Sequence, residues 1–148
     1  MLHALKKGRK MRPIKYIIVH CSATPPSVDF TVEKLRRCHV TDNGWIDIGY
    51  HFYVTRDGRI HHCRPVELAG AHCHGFNQTS IGICYEGGVD ESLVPCDTRT
   101  PAQRHALRVL LLALRSAYPT ARICGHRDLN GGRKACPCFD ATKEYCRI

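Results

Sequence analysis

Residues 15–26 read Lys-Tyr-Ile-Ile-Val-His-Cys-Ser-Ala-Thr-Pro-Pro. The unbroken apolar run from Tyr16 to Val19 is typical of a buried β-strand, and the turn with the Pro-Pro pair must follow its end. His20 is therefore expected at the end of this strand. In α/β sheets, functional residues collect where strands end, so His20 is a first candidate site residue.

A β-hairpin is predicted after residue 50. Residues 50–54 and 59–63 are β-rich, and Asp57-Gly58 between them is a strong turn signal. Alternation along the first strand, which begins at Tyr50, then places Tyr50 and Phe52 on one face of the sheet and His51 and Tyr53 on the other. The next two predicted strands cover residues 80–86 and 122–125, and the last of them places His126 at its end.

Two helices complete the pattern. Residues 31–39 predict a short helix, and Thr100 with Gln103 forms a capping box that begins a longer one, with Pro101 at its first position. This longer helix has an apolar stripe of period 3.6, typical of a helix that covers a sheet. We therefore predict an α/β fold with a single domain, in which helices flank a central mixed β-sheet.

Composition narrows the range of functions. The chain has 148 residues and a formal net charge of +9, which favours anionic partners such as nucleic acid, membrane surfaces or cell-wall polymers. The basic residues near the start predict a flexible arm over residues 1–13, followed by one domain over residues 14–148. No apolar run is long enough to span a membrane and no secretory signal is recognisable, so we expect cytoplasmic synthesis.

One interpretation of the histidines and cysteines is that some of them bind a metal ion. His20, His126 and Cys136 carry ligand atoms that suit Zn²⁺, and three protein ligands would leave a fourth position open for water. Cys138 follows too closely after Cys136 for a usual zinc knuckle, which indicates a spectator. From the residues alone the alternative stays open, because ten histidines offer many accidental triplets and cysteines are often buried as small hydrophobes.

Eight motifs resemble, in order, those of the zinc-dependent type 2 N-acetylmuramoyl-L-alanine amidases. This family includes small phage enzymes and the peptidoglycan recognition proteins. The resemblance covers residues 14–145, and the motifs are IIVHCSAT at 17–24, DIGYHF at 47–52, RDG at 56–58, GAH at 70–72, GFN at 75–77, SIG at 80–82, GHRD at 125–128 and KACP at 134–137.

The resemblance implies roles for individual residues. His20, His126 and Cys136 match the family's zinc ligands. Tyr50 matches a tyrosine that positions or deprotonates the hydrolytic water, and Lys134 matches a basic residue that stabilises the oxyanion. Two further positions match the loop that lines the substrate groove, His72 and Asn77.

The function implied is a zinc-dependent, bacteriolytic peptidoglycan hydrolase of the endolysin type. It would act as a monomer on the cell wall after release or export, cutting the amide between N-acetylmuramic acid and L-alanine. The alternative is a peptidoglycan-binding module without catalysis, but relatives of that kind lack the zinc cysteine that is present here as Cys136. A specific nucleic-acid partner is not expected, because stacked aromatic residues and known binding motifs are missing.

One departure from the family pattern concerns the segment between His126 and Cys136. It is a couple of residues longer than in the phage enzymes and contains Gly131 and Gly132. The position of Lys134 could shift as a result. Asp128, two residues after His126, either orients a zinc ligand or is a simple loop acid.

Overall fold

A computed structural model describes residues 11–148. Its centre is a five-stranded mixed sheet with the strand order β3-β2-β4-β1-β5, and helices pack on both faces. The predicted fold class is confirmed. The strands are β1 (Tyr16–Cys21), β2 (Phe52–Val54), β3 (Ile60–His62), β4 (Ser80–Tyr85) and β5 (Arg122–Gly125).

The sheet register places two histidines side by side. β1 lies between β4 and β5 and runs parallel to both, and Val19 of β1 is paired with Gly125 of β5. Parallel neighbours end at the same edge of a sheet, so the residues that follow this pair, His20 and His126, emerge together. The antiparallel β2–β3 pair is the hairpin predicted from Asp57-Gly58.

Helix α2 (Pro101–Ala117) covers one face of the sheet. It begins with the predicted capping box, in which Thr100 accepts from the Gln103 backbone N–H and Gln103 accepts from that of Thr100. Leu107 and Leu111 are fully buried in the core cluster that also holds Ile17 of β1. Truncating either leucine to alanine should therefore cost about 2–5 kcal/mol of stability.

Helix α1 (Val32–Arg36) lies at the other face. Thr31 caps its start, and the chain continues as a π-helical turn, Arg37–Asp42, so the predicted helix over 31–39 ends in a different geometry. Leu35 and Ile48 form a second core cluster here, and Tyr50 packs against it. Phe52 lies in the core under α2 instead, so the expectation that Tyr50 and Phe52 share a face is wrong. The reason is that β2 begins only at Phe52, and strand alternation does not extend back to Tyr50.

The last short helix, α3 (Ala141–Glu144), was not predicted. Most of the predicted arm, residues 1–10, lies outside the described residues. Arg12, at its end, is bound to the folded domain: its guanidinium donates to the carbonyl oxygens of Val66 at 2.8 Å and Ser80 at 2.7 Å. In the part of the chain that the structure describes, no helix could span a membrane.

Candidate metal centre

Three predicted ligands meet at the carboxyl edge of the sheet. His20 is the fifth residue of β1, His126 directly follows β5, and Cys136 lies in the loop beyond it. One ligand atom from each of the three lies within 4.8 Å of the other two. His20 is 1% exposed, and the other two are half-buried, so the group forms part of the floor of a surface cavity.

The His20 ring is oriented by a second histidine. Its Nε2 lies 2.9 Å from Nδ1 of His72, and its Nδ1 faces Sγ of Cys136 at 3.8 Å. Burial lowers the pKa of His20 well below its ordinary value, and the neighbouring His72 and His126 lower it further. The ring is therefore neutral, which leaves a nitrogen lone pair available to a metal.

Cys136 is held by backbone contacts. Its Sγ accepts from the backbone N–H of Cys21 at 3.3 Å, and its carbonyl oxygen accepts from that of Arg127 at 2.8 Å. Gly125 permits the close packing of this loop, because a Cβ there would lie 2.5 Å from Cδ of Pro137. Cys138 lies against Cys21 instead, with its Sγ 3.8 Å from that of Cys21, and is not in the group of ligand atoms.

The donor set fits a borderline-soft divalent ion. Two neutral imidazoles and one sulfur are the ligands of catalytic zinc sites that have three protein ligands and one open position. The hydrogen bond between His20 and His72 is the kind of outer contact that fixes the tautomer of a ligating histidine. These residues therefore suit zinc both in donor chemistry and in spacing.

Tyr50 lies beside the ligand group, with its ring centroid 5.1 Å from that of His20. Burial raises the pKa of Tyr50 well above its ordinary value, so its hydroxyl keeps its proton and is able to donate a hydrogen bond. Lys134 also lines the cavity, with an exposed side chain. The longer loop after His126 therefore leaves Lys134 at the cavity.

The loop before β4 supplies the other two predicted residues. Asn77 uses its Oδ1 to accept from the backbone N–H groups of His72 and Cys73, both at 2.9 Å. It therefore shapes the loop that presents His72. Burial lowers the pKa of His72 to about 3. The cavity, about 470 Å³, brings together all seven residues singled out in the sequence: His20, Tyr50, His72, Asn77, His126, Lys134 and Cys136.

Among the other residues that line the cavity are His39 and Trp45, which were not predicted as site residues. His39 and Trp45 form one wall, with ring centroids 4.6 Å apart, and Nδ1 of His39 accepts from the backbone N–H of Gly49. The hydrogen bond fixes the backbone next to Tyr50. The available signal was sequence proximity, since Trp45 begins the segment that leads to Tyr50.

Asp128 and His51 have structural partners. Oδ2 of Asp128 accepts from the backbone N–H of Gly125 and from the hydroxyl of Thr142, both at 2.8 Å, so it closes the turn that carries His126. Nδ1 of His51 accepts from the backbone N–H of Gly82 at 3.0 Å. Both residues stand outside the group of ligand atoms.

Comparison with known proteins identifies the family of the chain. Residues 10–139 match the family model described as N-acetylmuramoyl-L-alanine amidase. The chain is 42% identical to the endolysin of Klebsiella phage KP32 over 90% of its own length and 87% of that protein. It is also 42% identical to the endolysin of Escherichia phage T7, over 86% and 82% of the two chains. Among solved structures, the N-acetylmuramoyl-L-alanine amidase LysC from Clostridium intestinale aligns with a TM-score of 0.73 and 29% identity, covering 91% of this chain and 83% of LysC.

Proposed function

The chain belongs to the N-acetylmuramoyl-L-alanine amidase family and is a peptidoglycan hydrolase, and we propose that it works with a zinc ion held by His20, His126 and Cys136. The bond cut is the amide between N-acetylmuramic acid and L-alanine. The single observation that carries the zinc assignment is the meeting of these three ligand atoms within 4.8 Å at the cavity floor. When bound, zinc supplies a Lewis acid for the carbonyl and acidifies water for attack.

The residues of the chain have separate tasks in this proposal. His72 keeps the His20 ring in place through the 2.9 Å contact, so that Nδ1 of His20 stays directed towards Cys136. Tyr50 lines the cavity, and its hydroxyl, which burial keeps protonated, is the hydrogen-bond donor of this proposal. Lys134 brings positive charge to the place where the carbonyl oxygen becomes negative. A donor of this kind typically contributes about 100- to 1,000-fold in rate.

A peptidoglycan-binding module without catalysis is the rival proposal. It would use the same cavity but would not need the ligand group. Cys136 argues against it, because recognition-only relatives have lost the zinc cysteine, whereas here the thiol is present and oriented by the Cys21 backbone. We therefore favour hydrolysis over binding alone.

The net charge of the chain agrees with action on the cell wall. The net charge of +9 would attract the chain to wall polymers that carry carboxylates or phosphates, and salt should weaken that attraction. We propose that the enzyme reaches the wall after release or export and acts as a monomer.

The test is incubation of the purified, zinc-loaded protein with isolated cell walls. We expect new amino-terminal alanine without new reducing sugars, loss of release on chelation, and recovery when zinc is restored. New reducing ends would refute the bond assignment. Retained wall binding, with no release at any zinc concentration, would establish the binding module instead.

A further inference from the structure

Two thiols that the proposed function does not use meet beside the ligand group. Cys21 is the last residue of β1 and follows the ligand His20, and Cys138 lies two residues after the ligand Cys136. The Sγ atoms of Cys21 and Cys138 lie 3.8 Å apart, although 117 positions separate the two residues in the chain. Both are free thiols in this structure.

The backbone holds both thiols in place. β1 is paired with β4 as far as Cys21, whose partner in the register is Tyr85. The Tyr85 hydroxyl donates to the carbonyl oxygen of Pro137 at 2.6 Å, and the backbone N–H of Cys138 donates to that of Ala135 at 2.7 Å. β4 therefore fixes the strand that ends in Cys21 and, through Tyr85, the loop that carries Cys138.

Cys138 has an unusual backbone conformation. Its φ of +68° lies in the left-handed region, which residues with a side chain seldom occupy. Glycine or asparagine would be less strained at this position, so the backbone alone does not account for a cysteine. Such outliers in native proteins are often found where the side chain has a function.

The two sulfurs differ in accessibility. Cys138 is partly exposed, whereas Cys21 is 7% exposed and its Sγ fills the space beside Gly88, where a Cβ would lie 2.5 Å from it. A reagent from solution therefore meets Cys138 first, and Cys21 is the thiol that reacts second. An accessible thiol with a buried partner in contact suits the two steps of thiol–disulfide exchange.

A second metal ion is the other use that paired thiols could have. Among the residues that the structure describes, Cys21 and Cys138 belong to no group of three side chains that could hold one. Contact with Cys136 and burial raise the pKa of Cys21 to about 12, and contact with Cys21 and burial raise the pKa of Cys138 as well. Protonated thiols are poor metal ligands, and they exchange slowly unless the oxidant is in excess.

We propose that Cys21 and Cys138 form a disulfide when the protein meets a disulfide oxidant outside the reducing cytosol. In the first step, the Cys138 sulfur attacks the oxidant, a mixed disulfide forms, and the Cys138 proton leaves with the released thiol. In the second step, the Cys21 sulfur attacks the Cys138 sulfur, and the remaining half of the oxidant leaves as a thiol with the Cys21 proton. The cysteines lose two electrons and two protons in total, and the oxidant is reduced to two thiols.

The setting of this inference rests on the proposed function, in which the enzyme reaches the wall after release or export. Disulfides are rare in the cytosol and form in oxidising compartments. The bond would join residues 117 positions apart, and a cross-link that closes a long loop restricts the unfolded chain strongly. Cys136 keeps its thiol in this reaction, so the loop of the sulfur ligand is tied to β1 while the ligand group stays intact.

The test treats the zinc-loaded full chain with excess oxidised glutathione until the reaction stops. Tandem mass spectrometry of the peptides must fragment between Cys136 and Cys138, because no lysine or arginine separates them and trypsin leaves both in one peptide. We expect a cross-link between Cys21 and Cys138, about one zinc per chain, and a Tm higher by about 5–15 °C than that of the reduced protein.

Two variants control for glutathione adducts at other thiols. Cys138→Ser should gain neither the cross-link nor the rise in Tm, whereas Cys146→Ser, at an exposed position, should gain both. No cross-link in the wild type when the reaction has stopped would overturn the inference. A cross-link to Cys136 with loss of zinc, or an equal rise in Tm in Cys138→Ser, would also overturn it.

Alanine release from cell walls, measured on the same samples, separates this inference from the proposed function. Cross-linked protein that releases no alanine at any zinc concentration would refute the proposed function and leave the disulfide established. Release by a wild type that never forms the cross-link would have the reverse meaning.

Discussion

Nδ1 of His72 lies 2.9 Å from Nε2 of His20, and Nε2 of His72 lies 3.2 Å from the hydroxyl of Ser80. With Nδ1 of His20 left free for a metal, Nε2 of His20 donates to His72, and His72 in turn donates to Ser80. One consistent set of tautomers therefore connects Ser80, at the start of β4, through His72 to His20 in the ligand group.

His72→Ala should weaken zinc binding by about 10- to 100-fold, because the His20 ring loses the partner that fixes its tautomer. Competition with a chromophoric chelator measures the affinity. His72→Asn, whose side-chain oxygen can accept from His20, should recover part of it. His62→Ala, at an exposed position of β3, is the control. Unchanged affinity in His72→Ala would remove His72 from the positioning role.

Cys136→Ser should abolish stoichiometric zinc binding, whereas Cys138→Ser should keep about one zinc per chain. The reason is geometric, since Sγ of Cys136 faces His20 while Sγ of Cys138 faces Cys21. Metal analysis of the dialysed proteins measures the content. Loss of zinc in the Cys138 variant alone would show that the ligand is assigned to the wrong thiol.

Tyr50→Phe should lower kcat by about 100- to 1,000-fold while zinc content and stability change little. Its hydroxyl is protonated, so the substitution removes a hydrogen-bond donor from the cavity, while the ring keeps its packing against the cluster around Leu35. Amino-terminal alanine release from a soluble muramyl peptide measures the rate. Near wild-type kcat would reduce Tyr50 to a packing residue of the cluster around Leu35.

Acid should destabilise the metal-free protein partly through His51. Burial lowers the pKa of His51 from 6.5 to about 4, and the nearby Arg12 charge also lowers it. Between pH 4 and pH 6.5 the unfolded chain binds more protons than the folded chain. The contribution of neutral His51 to the free energy of unfolding is therefore complete above pH 6.5 and is lost as the pH falls towards 4. The contribution has a limiting slope of about 1.4 kcal/mol per pH unit.

Urea unfolding across that pH range measures this contribution. His51→Asn keeps an acceptor for the Gly82 N–H but does not titrate, so its free energy of unfolding should change less with pH than that of the wild type. His105→Gln, an exposed position on α2, should leave the slope unchanged. If the free energy of unfolding changes equally with pH in His51→Asn and in the wild type, His51 is not the source of the acid sensitivity.

Arg12→Gln should lower the free energy of unfolding by about 1–3 kcal/mol, because the carbonyl oxygens of Val66 and Ser80 lose a charged donor. Arg36→Gln removes only an ion pair between the exposed Arg36 and the partly exposed Asp47 and should cost less than about 1 kcal/mol. Chemical denaturation of both variants measures the two losses in the free energy of unfolding. If both variants lose the same small free energy of unfolding, Arg12 does not anchor the chain to the domain and belongs to the predicted flexible arm.

The elements marked by a local sequence signal were the most predictable features of the fold. The apolar run before His20, the Asp57-Gly58 turn and the Thr100 capping box are local signals, and each has its expected structure. Local signals do not specify which strands pair, so the order β3-β2-β4-β1-β5 could not be derived from them. The face of Tyr50 was wrong for a related reason, since the start of β2 depends on its partners.

The site was predictable in its members and not in its supporting contacts. The ordered motifs supplied the residues from His20 to Cys136 through a family resemblance. Asn77 acting on the loop backbone, Asp128 closing its turn and Asn130 left unpartnered depend on three-dimensional packing. Such contacts join positions whose separation in sequence follows no periodic pattern.

The backbone hydrogen bonds from Gly132 to Arg127 and from Arg127 to Cys136 close the longer loop at its root. Residues beyond that closure can therefore be added, removed or exchanged while the sulfur ligand stays where it is. The sequence of the loop is in this way uncoupled from the position of the ligand group.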